Sequence, residues 1–346
     1  MTQGHGFNRW SLTTGVLWLL ALALAVWTLR QLPLHSIAAQ LEQLSWHNWL
    51  LWILVNGGIL YLAVQRWQLL GQAVQTPLSL ISLFRMRQAG SAVSFLTPGP
   101  HFGGEPLQVL WLHRLFAQPL HRAVAMLGLD RFVETATNIA VLLAGVLMLL
   151  GTTVVPLDEG LQVSAILAGV LVALVAAAAL VVYHPLWLAN RIRPLVQRWR
   201  PVSAERDANQ EGGWQALVRL MQGALALHRG RLAVALLLSL LGWVALLLEL
   251  WLLLRFLNLS PSLSDLLTIM VGMRLAMLLP VPGGIGTIEA SLLWSFQLLG
   301  LPVSAALGLI ALTRLRDALV LLVGLACLYS FHRPRLTSKG KVVSAE

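Results

Sequence analysis

The sequence predicts an all-α membrane protein with six full transmembrane helices and two re-entrant or broken helical hairpins, arranged as an inverted repeat. Three observations predict this fold class. The 346 residues are 58% apolar and 11% charged, whereas a soluble domain has about 25% charged residues. Six apolar stretches are long enough to cross a membrane, and two more are interrupted by proline and glycine. This composition excludes a soluble enzyme and, despite the formal net charge of +10, an ordinary nucleic-acid-binding protein.

A helix needs about 20 mainly apolar residues to cross a hydrocarbon core of about 30 Å. The stretches that satisfy this are 11–29, 48–69, 123–150, 162–183, 231–257 and 303–330. The first stretch has Ala21 and Ala23 at the small-residue spacing of a signal-peptide cleavage site, but apolar residues continue through Leu29. We therefore expect a retained span. The stretches 78–115 and 264–300 are broken near their middle, so each half is too short to span.

Arginine, which supplies 22 of the 24 basic residues, predicts the orientation of the spans. The connection 184–231 holds eight arginines against three acidic residues, and the tail 331–346 holds four basic residues. Both are expected in the cytoplasm. The connection 151–161 carries Asp158 and Glu159 without a basic residue, so it is expected outside. Both termini are then cytoplasmic. Within the basic connection, the residues 213–229 are expected to form an amphipathic helix on the inner leaflet.

These orientations divide the chain into two membrane halves and a tail. The first half, 1–157, contains the broken hairpin that enters from the cytoplasm. The second half, 158–330, contains the broken hairpin that enters from outside, and the basic tail follows at 331–346. Each half has three spans, so the second half is inverted relative to the first, as in many secondary transporters.

The two breaks have similar sequences. Each contains Pro-x-Pro, a Gly-Gly pair and then a glutamate that opens the next helical run. The two segments run from Thr97 to Glu105 and from Leu279 to Glu289. Arg131 follows the first glutamate by 26 residues, and Arg314 follows the second by 25. Proline ends a helix, glycine permits close approach, and the freed amides need protein or water partners at membrane depth.

Ionisable residues inside membrane segments are costly, at roughly 2.5–3.5 kcal/mol each on insertion scales, unless they are paired. One interpretation is that the Glu–Arg pairs are structural and hold the two halves together. The other is that some of them line a cavity for a charged head group or a proton. For Glu249, which is alone in an apolar run, core pairing and proton coupling are both open. The helix that follows each break can use its positive end to hold either its own glutamate or a ligand phosphate.

No catalytic or metal-binding pattern is found in the sequence. It contains no His-Glu-x-x-His, Gly-x-Ser-x-Gly or phosphate-binding Gly-x-x-x-x-Gly-Lys motif, and its single cysteine is Cys327. We therefore expect no enzyme activity, no cofactor and no metal. His101, inside the first break, either binds phosphate or is a hydrogen-bonded loop histidine.

The residues resemble the transmembrane, flippase-like region of lysylphosphatidylglycerol synthases, which is the membrane part of the multiple peptide resistance factor, and its stand-alone bacterial relatives. The resemblance extends from about Trp49 to Leu328. It is carried by Pro98 through Glu105, Asp130-Arg131, Pro280 through Gly286 with Glu289, and Arg314. It implies a bacterial cytoplasmic-membrane protein with inverted halves that moves a lipid head group between leaflets. Relatives often carry an arginine near each glutamate, where this chain has Gln108 and Ile288.

Two functions are therefore considered. The first is a lipid transporter or flippase that moves a phospholipid or lipid-linked head group through a polar cavity near the membrane midplane. The alternative is a non-catalytic accessory protein that presents a membrane lipid to a separate transferase or envelope-assembly enzyme. The candidate substrate-binding residues are His101, Gly103, Gly104, Glu105, Arg131, Arg274, Gly283, Gly284, Glu289 and Arg314. The supporting residues are Asp130, Glu134, Glu249 and Asp317. Both hairpins are expected to bring their acids and arginines into one shared pocket.

Overall fold

The computed structural model describes residues 45–96, 103–150, 157–183, 210–277 and 284–332. These residues form helices and no strand, which confirms the all-helical prediction for the part of the chain that is described. The helices are α1 (Trp46–Ala73), α2 (Leu80–Leu96), α3 (Glu105–Arg114), α4 (Leu120–Leu149), α5 (Leu157–Tyr183), α6 (Gln210–Leu227), α7 (Arg229–Phe256), α8 (Leu263–Ala276), α9 (Thr287–Leu298) and α10 (Val303–His332). The predicted span 11–29, most of the tail 331–346, His101 and Gly283 lie outside the described residues.

The long helices match the apolar stretches. Among the described residues, α1, α4, α7 and the segment Leu157–Leu180 of α5 are long and apolar enough to cross a membrane, so the chain is a multi-pass membrane protein. Helix α10 has 30 residues and carries three charged residues near its middle, Arg314, Arg316 and Asp317. Asp158 and Glu159 lie in the first turn of α5 rather than in a loop. There their negative charge stabilises the helix N-terminus.

Both predicted interruptions separate two short helices. Helix α3 begins at Glu105 with a proline in its first turn, and α9 begins at Thr287 with Glu289 in its first turn. Before α9, Gly284 and Gly286 have φ of 60° and 85°, which favours glycine. Before α3, a Cβ on Gly104 would lie 2.1 Å from the carbonyl oxygen of Gly90, so the backbones of α2 and α3 approach closely there.

The ends of α1 and α7 have the same geometry. Gln75 and Asn258, two residues beyond the respective helix ends, have φ of 59° and 60°. In both cases the next amide reaches back five residues, from Thr76 to the Gly71 carbonyl at 2.8 Å and from Leu259 to the Leu254 carbonyl at 3.0 Å. This left-handed cap satisfies carbonyls at the helix end and turns the chain sharply into the following short helix.

Helices from different parts of the chain pack in a reciprocal pattern. Helix α1 packs against α7; α2 packs against α10, and α8 packs against α4. The short helices α3 and α9 pack against the long helices that follow them, α4 and α10. The predicted amphipathic helix is present as α6, which packs against α4 and has Val218 and Ala224 buried. The cores are two apolar clusters, one around Trp67 and Met126 and the other around Leu292 and Phe296.

Helices α2 and α10 can approach each other closely because residue 324 is a glycine, and substitution of this glycine tests the contact. A Cβ on Gly324 would lie 2.5 Å from the Gln88 carbonyl oxygen, whereas one on Gly242, inside α7, would meet nothing within 4 Å. We expect Gly324→Ala to lower the free energy of unfolding by about 1–3 kcal/mol because it overpacks the contact. Gly242→Ala should be neutral or stabilising by up to about 1 kcal/mol. Thermal unfolding of the purified protein in detergent measures both, and equal stability of the two variants would contradict the packing.

Candidate functional site

Three arginines surround two carboxylates in the first half of the molecule. Arg66, on α1, donates from Nε to Asp130 at 2.8 Å and from Nη2 to Glu134 at 2.9 Å. Arg87, on α2, donates to the same two carboxylates at 2.9 and 3.2 Å. Arg131 bonds Glu134 at 3.1 Å and lies 3.3 Å from Glu105, which completes this first network. Asp130 is fully buried, so its two arginine partners supply the stabilisation that water cannot.

The second half contains a related group of charges. Arg314, on α10, donates from Nε to Glu289 at 2.7 Å and from Nη1 to Asp317 at 3.1 Å. Arg316 bonds Glu249, on α7, at 3.0 Å and lies 3.6 Å from Asp317. These five residues form the second network. Glu249 is 3% exposed, and its other oxygen accepts from Asn56 at 3.1 Å, so both of its oxygens have partners.

The two glutamates that follow the breaks, Glu105 and Glu289, accept the same kind of hydrogen bond from the backbone. Glu105 Oε2 accepts from the Gly103 amide, and Glu289 Oε2 accepts from the Gly286 amide, each at 2.8 Å. Each glutamate therefore satisfies backbone donors at the start of its own helix. The arginine that pairs with it lies on the next long helix of the same half. The Gly104 amide donates to Ser94 Oγ at 2.9 Å, and the Gly284 carbonyl accepts from Arg314 Nη2 at 3.2 Å.

A cavity of about 530 Å³ lies between α1, α2, α7, α8 and α10. Its wall is mainly apolar, and several lining residues at its edge, such as Ile53, Leu319 and Val323, are exposed. The polar side chains of the wall come from five helices: Asn56, Gln88, Glu249, Arg274, Thr313 and Arg316. Its volume lies within the range of about 300–1,000 Å³ that is usual for small-molecule sites.

Arg274 differs from the other arginines around the cavity. Within the described residues it has no carboxylate partner at ion-pair distance. Its guanidinium lies 4.6 Å from the ring centroid of Trp243 and donates weakly to Met277 Sδ at 3.8 Å. Its charged neighbours include Arg316, whose like charge repels it, as well as Glu134 and Glu249. Arg274 is therefore the lining residue best able to accept an anionic group.

A second cavity, of about 240 Å³, adjoins the first. Met277, Arg316 and Val320 line both cavities. The smaller one also contacts Phe95, close to the first break, and Ile288, just after the second. The two broken hairpins thus approach each other at this cavity, and Arg316 connects it to the larger one.

The predicted site residues separate into three groups. Arg274 and Glu249 line the large cavity, and Asp317 lines the small one. Glu105, Arg131, Glu289, Arg314, Asp130 and Glu134 line neither of these cavities, and each is paired with a charged residue of its own network. Each glutamate caps its own short helix and pairs with an arginine of its own half. The expectation that both glutamates share one pocket and the role of these residues in ligand binding therefore stay predictions.

Arg316, which belongs to the second network and lines both cavities, was not among the sequence candidates. Four further residues were also not among them. Arg66 and Arg87 form the centre of the first network, and Asn56 and Gln88 line the large cavity. The signal was present for the two arginines, because an ionisable residue inside an apolar membrane segment is itself an indication of a partner or a site. The two amides gave no such signal.

The sequence model of the family described as "Lysylphosphatidylglycerol synthase TM region" matches residues 13–324. No curated protein and no solved structure matches the chain.

The first network predicts a large stability effect at Arg66, which is 6% exposed. Arg66→Met leaves buried Asp130 with one arginine instead of two, so we expect a loss of about 3 kcal/mol in the free energy of unfolding. Arg66→Met/Asp130→Asn should recover part of this loss, because it removes the excess negative charge that the single substitution leaves in the network. Arg219→Met, on the exposed face of α6, is the control and should change stability by less than about 0.5 kcal/mol. Unfolding in detergent measures all three, and equal effects at Arg66 and Arg219 would contradict the network.

Proposed function

The chain belongs to the lysylphosphatidylglycerol synthase TM region family, and from this premise we propose that it moves a phospholipid or lipid-linked head group between the leaflets of a bacterial cytoplasmic membrane. It does so without altering the lipid chemically. The observation that carries the proposal is the large cavity, in which Arg274 has no carboxylate partner among the described residues.

The charges of the cavity wall support an anionic ligand. The lining contains two arginines, Arg274 and Arg316, and one carboxylate, Glu249, which is bonded to Arg316. One positive charge is thus left without a partner in a wall that is otherwise mainly apolar. A phosphodiester carries one negative charge, and guanidinium binds phosphate oxygens through paired N–H donors. Exposed apolar residues at the cavity edge suit acyl chains that remain in the bilayer.

Movement between leaflets requires a route as well as a site. The small cavity continues the large one at Arg316 and Met277 and lies beside both breaks. We propose that the head group passes from Arg274 to Arg316 and then to the region where the broken hairpins meet. Arg316 has two acidic neighbours, Glu249 and Asp317, so it can change partners without becoming unpaired.

An inverted repeat would supply the alternating exposure that this movement needs. Helices α1 to α4 would form one copy and α7 to α10 the other. Three observations support it: the matching left-handed caps after α1 and α7, the packing of α2 on α10 and of α8 on α4, and the matching ion groups of Glu105-Arg131-Glu134 and Glu289-Arg314-Asp317. Both termini would then be cytoplasmic.

The inverted arrangement can be tested with two equivalent positions. Ser79 and Ser262 are exposed, and each lies six residues beyond the end of its helix, α1 or α7. In a Cys327→Ser background, we expect a membrane-impermeant maleimide to label Ser262→Cys in intact cells. Ser79→Cys should react only after permeabilisation, because the arginine distribution places its loop in the cytoplasm. Labelling of both from the same side would rule out the inverted repeat.

Substitution of either serine removes the same kind of hydrogen bond. Each hydroxyl accepts a hydrogen bond from the amide three residues later, at 3.3 Å for Ser79 and 3.2 Å for Ser262, and so caps the short helix that follows. Both cysteine variants therefore lose the same kind of cap. A difference in their labelling then reports the side of the membrane rather than a difference in local stability.

The transport proposal is tested at Arg274. We expect Arg274→Ala to lower the rate of lipid movement by about tenfold or more, since it removes a charged hydrogen-bond donor to the phosphate. Arg274→Lys should retain part of the rate because it keeps the charge. The matched control is Arg255→Ala: Arg255 also lies over a tryptophan, Trp251, at 5.8 Å, but it lines neither cavity.

The measurement uses proteoliposomes that contain fluorescent phosphatidylglycerol or phosphatidylethanolamine, with dithionite quenching of the outer leaflet. If wild-type protein moves neither lipid, the transport proposal fails. If it retains phospholipid through purification but moves none, the accessory function, presentation of a lipid to a separate transferase, becomes the better account.

A further inference from the structure

The position of Arg274 in the cavity wall needs a physical cause, because no carboxylate within the described residues holds it at ion-pair distance. Among the described residues, the aromatic ring that lies within cation–π distance of Arg274 is that of Trp243, on α7. The Arg274 guanidinium is 4.6 Å from its ring centroid. Trp243 is 6% exposed and does not line the cavity, so its other face and edges are packed in protein. The indole therefore contacts Arg274 without forming part of the cavity wall.

The indole of Trp243 is held in place by a residue on a third helix, α4. Trp243 Nε1 donates to Asn138 Oδ1, on α4, at 3.1 Å. A tryptophan has two side-chain torsions, and a hydrogen bond at the ring edge, together with burial, restricts both. Asn138, Trp243 and Arg274 thus form a chain of contacts that starts on α4, passes through α7 and ends on α8 at the cavity. It joins the first half of the molecule to the second.

A π face holds a guanidinium differently from a carboxylate. It attracts the charge and fixes the plane, but it accepts none of the five N–H groups of arginine. An arginine that is already bonded to a carboxylate, such as Arg314 with Glu289, must give up that bond before it binds a ligand anion. Arg274 needs no such exchange, and its side chain is already ordered, so less free energy is lost on binding.

Resting on the function proposed above, we infer that Trp243 and Asn138 are positioning residues for lipid binding: the indole, fixed by Asn138, holds Arg274 in the orientation that receives the phosphate. Neither residue touches the ligand. Their effect on transport passes through Arg274.

The chain offers a matched pair for the test. Trp243 and Trp251 lie on the same helix and each supports an arginine, but only the arginine of Trp243 lines the cavity. We expect Trp243→Leu to slow the movement of fluorescent phosphatidylglycerol about three- to tenfold, the range that a cation–π contact supports. Trp251→Leu should remain at the wild-type rate. Trp243→Phe, which keeps a ring face but loses the N–H, and Asn138→Ala should fall between the two.

A double-mutant cycle separates positioning from general damage to the fold. If Trp243 acts through Arg274, Trp243→Leu should have no further effect in an Arg274→Ala background. Additive losses would overturn the inference. If Trp243→Leu does not fold, Trp243→Phe and Asn138→Ala can each be combined with Arg274→Ala in the same way. Both are smaller changes, and Asn138 is exposed.

A second readout does not depend on transport. Phenylglyoxal modifies guanidinium groups, and peptide mass spectrometry reports the modification rate at Arg274 in detergent. We expect a faster reaction in Trp243→Leu and Asn138→Ala than in wild type, and no change at Arg274 in Trp251→Leu. An unchanged rate in the first two variants would overturn the positioning role.

The two proposals fail in different ways. If Arg274→Ala stops transport but Trp243→Leu behaves as Trp251→Leu does, the positioning role is wrong and the transport proposal stands. If wild type moves no lipid, the transport proposal is wrong, and the modification rates alone decide whether Trp243 orients Arg274.

Discussion

Charge that lies at membrane depth must find its partners within the protein, and this constraint determines how the helices are arranged. Each charged residue would cost roughly 2.5–3.5 kcal/mol in a lipid-exposed helix. The first network collects residues from α1, α2, α3 and α4, and the second from α7, α9 and α10. Separating any of these helices would leave an arginine or a carboxylate unpaired. The ion pairs therefore select this helix arrangement over others with equal apolar burial, and the glycines at 104 and 324 allow the approach that the pairs need.

Two long helices, α1 and α7, carry opposite charges at equivalent positions along their length. Arg66 and Glu249 occupy the same position counted from the start of α1 and of α7, but one is a cation and the other an anion. Their partners are reversed accordingly, with Asp130 on α4 and Arg316 on α10. In the first network every arginine bonds a carboxylate, which favours a rigid unit. In the second half, Arg274 has only a tryptophan face and a methionine sulfur among the described residues. The arginines of the second network also each bond a carboxylate, so the difference lies in Arg274 itself, which is outside both networks.

Most of the fold could be predicted from the sequence because apolar length, proline and arginine distribution are local properties. The predicted stretches 48–69, 123–150 and 231–257 correspond to α1, α4 and α7, and both interruptions fall where Pro-x-Pro and Gly-Gly occur. The site could be predicted only in part. Pairing of Glu105 with Arg131 and of Glu289 with Arg314 followed from their matched spacing. The contacts of Arg66 with Asp130 and of Trp243 with Asn138 and Arg274 join residues far apart in the chain, and no spacing indicates them.

The contacts at the two breaks also affect whether the helix ends that follow them are available to an anion. A helix N-terminus that faces the interior of a membrane protein offers free amides and a positive dipole to a ligand. In α3 and α9 that position is already taken, because Glu105 and Glu289 accept from the amides of their own breaks. Each glutamate is in turn neutralised by an arginine, so neither the helix ends nor those arginines carry an unmatched charge. Under the proposed function, an incoming phosphate would be bound by a cation outside these groups. Within the described residues that line the large cavity, Arg274 meets this condition, and it does so because an aromatic ring, rather than an acid, holds it in place.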